Sequence, residues 1–323
     1  MSDLLGKSKY ASGLKSWVKG IAAIAAGLLA SVTSVQAEQA NLGIMSGGVN
    51  GTYVRIAQNM SDALDSGDLR IITMLGKGSR QNIKDLIELD GTDLAIVQSD
   101  VLREVANSKS IPGATGSIRY ITKLYNEEIH ILAKKPVKSL KFLEGASVGV
   151  GRQGSGTEMT ASILFGGLGI EIDPINVSGQ EALEALEEDL IEAAVFVVGK
   201  PSNLLKNIGA NSGYKLLDIT LPKSVDFPYF ETELTHKDYP GLVGKGDEVS
   251  TVAVGAILAV FNWREGSRRY KLLEKFTDQL FSSIEVLKSG PYHPKWGNID
   301  IAVEVPSWKR FKPAGQWLEK NGN

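Results

Sequence analysis

The amino-acid sequence predicts an α/β protein of two lobes, each a mostly parallel sheet flanked by helices. Three observations carry that expectation. Continuous β-branched runs such as "LAIV" and "AAVFVV" alternate with amphipathic stretches of helical period, the pattern of parallel strands buried on both faces. The alternation runs through one series and then a second. A further apolar run at 250–262 arrives only after an irregular proline- and glycine-rich region, so one lobe starts, is interrupted and is completed later. Finally, 323 residues, 43% hydrophobic and 22% charged, suffice for about two domains with a sizeable core.

The first residues stand apart from that pattern. Lys7, Lys9, Lys15 and Lys19 form a basic region, and "GIAAIAAGLLA" follows as a short apolar core. Val35-Gln36-Ala37 then supplies the small residues of a cleavage site, so residues 1–37 read as a signal peptide. The apolar core is about a dozen residues, short of the ~20 a spanning helix needs. The absence of cysteine excludes zinc clusters, thiol nucleophiles, disulfides and a lipid anchor together. The expectation is a soluble protein exported to the periplasm. A formal charge of −2 offers no basic surplus for nucleic acid.

From residue 38 the elements follow in order. "QANLGIM", "LRIITML" and "TDLAIVQ" read as strands, each leading into a helix: "TYVRIAQNMSDAL", "RQNIKDLIEL" and "SDVLREVAN". "SIRYITKLY" closes this series. A second begins at "EEIHILAK" and continues through "ASVGVG", a helix from Thr157, "IEIDPINV", "QEALEALEED" and "IEAAVFVVG". Gly166-Gly167 and Gly169 mark the end of the helix from Thr157. The stretch "PKSVDFPYFETELTHKDYPGLVGKGDEVS" reads as loop with short pieces, and a long amphipathic helix spans about 264–288. The lobes are therefore expected at 38–126 plus 228–323 and at 127–227.

Three strands end alike. "LGIMSGGVNGTY" (42–53), "ITMLGKGSRQN" (72–82) and "SVGVGRQGSGTE" (147–158) each pass through Gly and Ser into a helix. Glycine lets another group approach the backbone, and a helix start offers free N–H groups with a partial positive charge. In open α/β sheets ligands gather outside the carboxyl ends of strands, so three such turns can converge on one anion site. Helix capping explains the same residues without a ligand: Ser155 and Glu158 have the spacing of a capping box. Asp100 likewise reads as a helix N-cap, while Gln98 at the same strand end is less well explained that way. Tyr53 and Tyr125 offer aromatic faces to a small ligand or interior packing with a bonded hydroxyl. Arg80 and Arg152 offer a charge-assisted pair for a carboxylate, or solvated side chains.

Catalytic signatures are thin. The spacing of Gly151, Gly154 and Gly156 matches neither a Walker motif nor a dinucleotide fingerprint. No H-E-x-x-H pair or G-x-S-x-G elbow exists. His130, alternating with apolar residues, reads as structural, and Glu127 and Glu128 point to opposite faces of a strand, a poor geometry for paired acid–base work. A non-enzymatic protein without a cofactor or metal is the expectation. A periplasmic enzyme acting on an anionic substrate is the alternative.

Taken in order, "GGVNGTY", "GKGSRQN", "TDLAIVQSD", "LYNEEIHILAK", "VGVGRQGSGTEMTASILF", "DLIEAAVFVVGKP" and "STVAVGAILAV" resemble the TAXI family. These are the solute receptors of tripartite ATP-independent periplasmic (TRAP) transporters. The resemblance covers nearly all of the chain beyond residue 38. It implies a two-lobed, type II-like periplasmic binding protein fold that closes on a small organic acid or amino acid. It implies a monomer that delivers this solute to TRAP permease membrane subunits; a same-fold receptor acting in signalling is a second possibility. Carried over by motif, the ligand-binding residues are Asn50, Tyr53, Gln98, Ser99, Ser155, Gly156 and Thr157, to which the turns add Ser79 and Arg152 and the strand end adds Tyr125. The chain departs from the family at Arg152-Gln153, where proline is common, and at "LTHKDYPG" (234–241).

Overall fold

The computed structural model describes residues 40–49, 51–66, 68–226 and 228–322 of the chain. The expected signal peptide lies outside the described residues, and no described helix is long and apolar enough to cross a membrane.

The first series folds as read: β1 (Ala40–Met45), α1 (Thr52–Leu64), β2 (Leu69–Met74), α2 (Ser79–Glu88), β3 (Leu94–Gln98) and α3 (Ser99–Ser108). A short α4 (Ala114–Ser117) follows. "SIRYITKLY" and "EEIHILAK", expected to fall in separate lobes, then form a single strand, β4 (Ile118–Lys134). Nothing between them breaks the extended backbone, and the expected lobe boundary at 126/127 falls inside it. The second series comprises β5 (Ser147–Gly149), α5 (Gly156–Leu168), β6 (Asp173–Ile175), α6 (Gly179–Glu187) and β7 (Ala193–Val198). Gly166 and Gly167 lie within α5, which stops at the left-handed Gly169. The irregular region contributes β8 (Tyr214–Leu216) and β9 (Phe230–Thr235) before the buried strand β10 (Glu248–Phe261). The long helix expected to follow is two, α7 (Arg268–Ser282) and α8 (Ile284–Ser289), divided at Ser283. A turn at Pro294–Asn298 and α9 (Lys312–Asn321) complete the chain.

The ten strands of the described residues join one sheet, with the main order β2-β1-β3-β10-β4-β7-β5-β6. β2-β1-β3 form one parallel group and β7-β5-β6 another. Between them β10 and β4 make a long antiparallel ribbon. The first half of β4 lies beside the half of β10 that pairs with β3, and its second half pairs with β7. β10 thus joins the first group through β3, β4 joins the second through β7, and their mutual pairing links the two groups without a flexible tether.

Period-two alternation sends side chains to both faces, and each group has a core on either side. Leu42, Ile44, Leu94 and Ile96 pack with α1, α7 and Phe311, while Met45, Ala95 and Val97 pack under α2 and α3. In the second group Ile129, Ile131, Val148 and Val195 face α5, and Leu132, Ala194 and Phe196 face α6. β3 is apolar from Leu94 to Val97 and β7 from Ala193 to Val198, because both are covered on their two faces over most of their length.

Candidate functional site

Both parallel groups turn the carboxyl ends of their strands toward one cavity of about 340 Å³. The turn after β1 lines it with Gly48, Val49 and Gly51, and the turn after β2 with Gly76 and Lys77. The turn after β5 adds Gly151, Arg152, Ser155 and Thr157. A fourth turn, after β6, brings Val177, Ser178, Gly179 and Gln180. The rest of the wall is Val195–Val198 of β7, with Ala182, Ser202 and Leu204.

The fourth turn has the same local logic as the other three. "INVSGQEA" passes from strand through Ser-Gly into a helix, and Ser178 with Glu181 forms a complete capping box. Sequence reasoning missed it, although the pattern was present in the residues. Lys77, the end of β7 and Ser202 were missed as well, because only the pairing of the strands brings them to the cavity.

The two groups meet at glycines. Gly78 adopts φ +117°, and a Cβ there would stand 3.1 Å from Ser155 Cα. A Cβ on Gly156 would lie 1.4 Å from Gln98 Oε1 and 2.7 Å from Ser79 Oγ. The Gln81 N–H donates to Gly154 O at 3.1 Å across the same contact. Ser155 caps α5, accepting the Glu158 N–H at 3.1 Å, but the Glu158 carboxylate reaches past it to the Gly154 N–H at 2.6 Å. The expected capping box is thus opened by one residue, because Gly154 brings its own N–H within reach.

Beneath this contact lies a polar layer. Ser79 Oγ donates to Gln98 Oε1 and accepts from the Gln98 N–H, both at 3.0 Å. The Tyr53 hydroxyl donates to Glu127 at 2.7 Å and sits 3.4 Å from Ser79 Oγ. Burial pushes the Glu127 carboxyl up to about 8, against the Tyr53 hydrogen bond and the Lys295 charge, which both favour its ionised form. Burial and the neighbouring Glu127 also raise the Tyr53 and Tyr125 phenols. Asp100 is inside α3 rather than its N-cap. Its carboxylate accepts the Val101 N–H at 2.8 Å and, from the other group, the Thr160 hydroxyl at 2.6 Å. Burial outweighs these bonds and pushes it up to about 6.

The candidate residues thus fall in several places. Arg152, Ser155 and Thr157 line the cavity. Gly156, Tyr53, Ser79 and Gln98 form the contact and the buried layer behind it. Ser99 Oγ accepts the Gly255 N–H at 3.2 Å and ties α3 to β10 instead. Tyr125 lies in the core between α1 and the ribbon, its hydroxyl without a partner among the described residues. Arg80 is half-buried and does not line the cavity. Asn50 lies outside the described residues. His130 is structural: Nδ1 donates to Phe196 O at 3.3 Å and Nε2 accepts from Tyr239 at 2.7 Å, while burial lowers it to about 4 and keeps it neutral.

Two parallel groups joined by a two-strand ribbon, with a cavity at their facing strand ends, define the two-lobed periplasmic binding protein class of fold. The chain belongs to the NMT1-like family, whose model matches residues 44–291. Among solved structures, one from Bordetella bronchiseptica RB50 is similar with a TM-score of 0.52 and 15% identity, covering 82% of this chain and 79% of that one. The alkanesulfonate-binding protein SsuA from Xanthomonas axonopodis pv. citri, bound to MOPS, has a TM-score of 0.45 and 13% identity, covering 78% of this chain and 75% of its own. A Salmonella typhimurium periplasmic binding protein of high arginine specificity has a TM-score of 0.45 and 14% identity, covering 78% and 94%. At 15% identity the likeness to the Bordetella structure is one of fold.

Proposed function

We propose that the protein is a soluble periplasmic receptor that captures a small organic acid or amino acid and delivers it to a TRAP-type permease. The lobes, 38–126 plus 228–323 and 127–227, close on the solute, with Arg152, Ser155 and Thr157 in direct contact and Tyr53, Ser79 and Gln98 supporting the closed form. The observation that carries this reading is the convergence of four strand-to-helix turns, from both parallel groups, on one cavity. Closure changes the surface presented to the permease, and only a ligand that favours the closed form can shift that balance. The TRAP partner rests on the ordered TAXI motifs. Calorimetric titration of protein stripped by unfolding and refolded, against panels of organic acids and amino acids, is the direct test. Absence of binding across both panels sinks the reading.

A further inference from the structure

We infer that the cavity selects an organic anion with an apolar body and no ammonium group. This rests on the receptor reading above and narrows its ligand class.

The charges facing the cavity have one sign. Among its described lining residues the charged side chains are Lys77 and Arg152, one from each parallel group, and none is a carboxylate. The Gly78–Ser155 contact brings the Lys77 turn against the start of α5, where the turn carrying Arg152 ends. Carboxylates close by are committed elsewhere. Glu158 holds the Gly154 N–H and Glu181 the Ser178 N–H, each at 2.6 Å. Glu181 also approaches Arg152, but at 4.0 Å and with both side chains more than half exposed, a pair too loose to hold the guanidinium from a ligand. Glu127 is covered by Tyr53.

Neutral donors reinforce the sign. Capping consumes the Glu158 and Glu181 N–H groups, whereas those of Thr157, Gly179 and Gln180 have no acceptor among the described residues. All three residues line the cavity. The wall beside the α6 amides is apolar: Val177 and Ala182 line it with Phe196 and Leu204, and a Cβ on Gly179 would stand 2.8 Å from Leu204 and 3.4 Å from Phe196. An anionic head fits the cations and amides, and a hydrocarbon body fits this wall. An ammonium group would face two cations and no lining carboxylate. The volume, near the lower end for ligand sites, calls for a small molecule.

The test uses the stripped protein and pairs of probes that differ by one group: hydrocinnamate against phenylalanine, and isocaproate against leucine, with phenethylamine and succinate alongside. The expected result is binding of both acids, at least about tenfold weaker binding of each amino acid, and none of the amine. Lys77→Met and Arg152→Met should each weaken hydrocinnamate by about tenfold. Amino acids binding as tightly as their acids, succinate outcompeting hydrocinnamate, or both variants binding like the parent overturns the inference and leaves the receptor intact. Failure of every acid and amino acid overturns both.

Discussion

At the scale of single residues, two positions decide whether the groups can meet. Gly156 has no room for a methyl: its Cβ would overlap Gln98 Oε1, a buried group held by Ser79. Gly156→Ala is expected to hold the lobes apart, lowering ligand affinity at least about tenfold with unchanged circular dichroism. Equal affinity would show that Gln98 simply moves. Glu127 makes a separate prediction through protons. Its folded value of about 8 lies above the ordinary 4.5, so between those values the unfolded chain has released a proton that the folded one keeps. Stability therefore falls as pH rises through that window. Asp100 acts the same way up to about 6. His130 and His293, both lowered to about 4 by burial, act oppositely between 4 and 6.5. The clean window is thus above 6.5, where Glu127→Gln should flatten the decline of Tm up to pH 8.

At the scale of elements, the ribbon is anchored by an ion pair. Lys295, from the turn at 294–298, donates to Glu128 at 2.7 and 2.9 Å and to Asn126 O at 2.8 Å. Glu128 also accepts the Lys200 N–H at 2.7 Å, so one carboxylate ties the C-terminal segment, β4 and the chain after β7. Both side chains are buried. Lys295→Met leaves that carboxylate uncompensated and should cost about 3–5 kcal/mol in urea denaturation. Pairing it with Glu128→Leu should restore much of the loss, because the penalty lies in the orphaned charge. If the double variant is no better, the pair is holding geometry that packing cannot replace.

At the scale of the whole molecule, hydrogen bonds link the groups, beside an apolar contact of Met159 on α5 with the core under α2 and α3. Thr160 donates to Asp100, and Tyr229 to the same carboxylate at 3.3 Å. Polar contacts rehydrate when separated, so lobes joined this way can part and return. Thr160→Val leaves a buried carboxylate short of a donor, at a cost of about 1–3 kcal/mol to the closed form. About a tenfold loss of ligand affinity is expected. Small-angle scattering supplies the second readout: the ligand should reduce the radius of gyration of the parent protein more than that of the variant at equal concentration. An identical reduction at subsaturating ligand would place the Thr160 bond outside the closing motion.

Local pattern alone determined the strands, the helices that follow them and the Gly/Ser turns, because periodicity and capping act over a few residues. "TYVRIAQNMSDAL" is α1 residue for residue, and Ser155 does cap α5. It also supplied the two series and the returning strand. What only the tertiary structure decided is which turns meet and what stands between them. The fourth turn, Lys77 and the β7 wall reach the cavity through strand pairings whose partners are far apart in the chain. Tyr125 and Ser99 sit in the right motifs yet pack elsewhere. β4 runs unbroken across a boundary that two separate apolar runs suggested. Distances between remote residues, and the burial that lifts Glu127, are properties of packing, which no window of sequence contains.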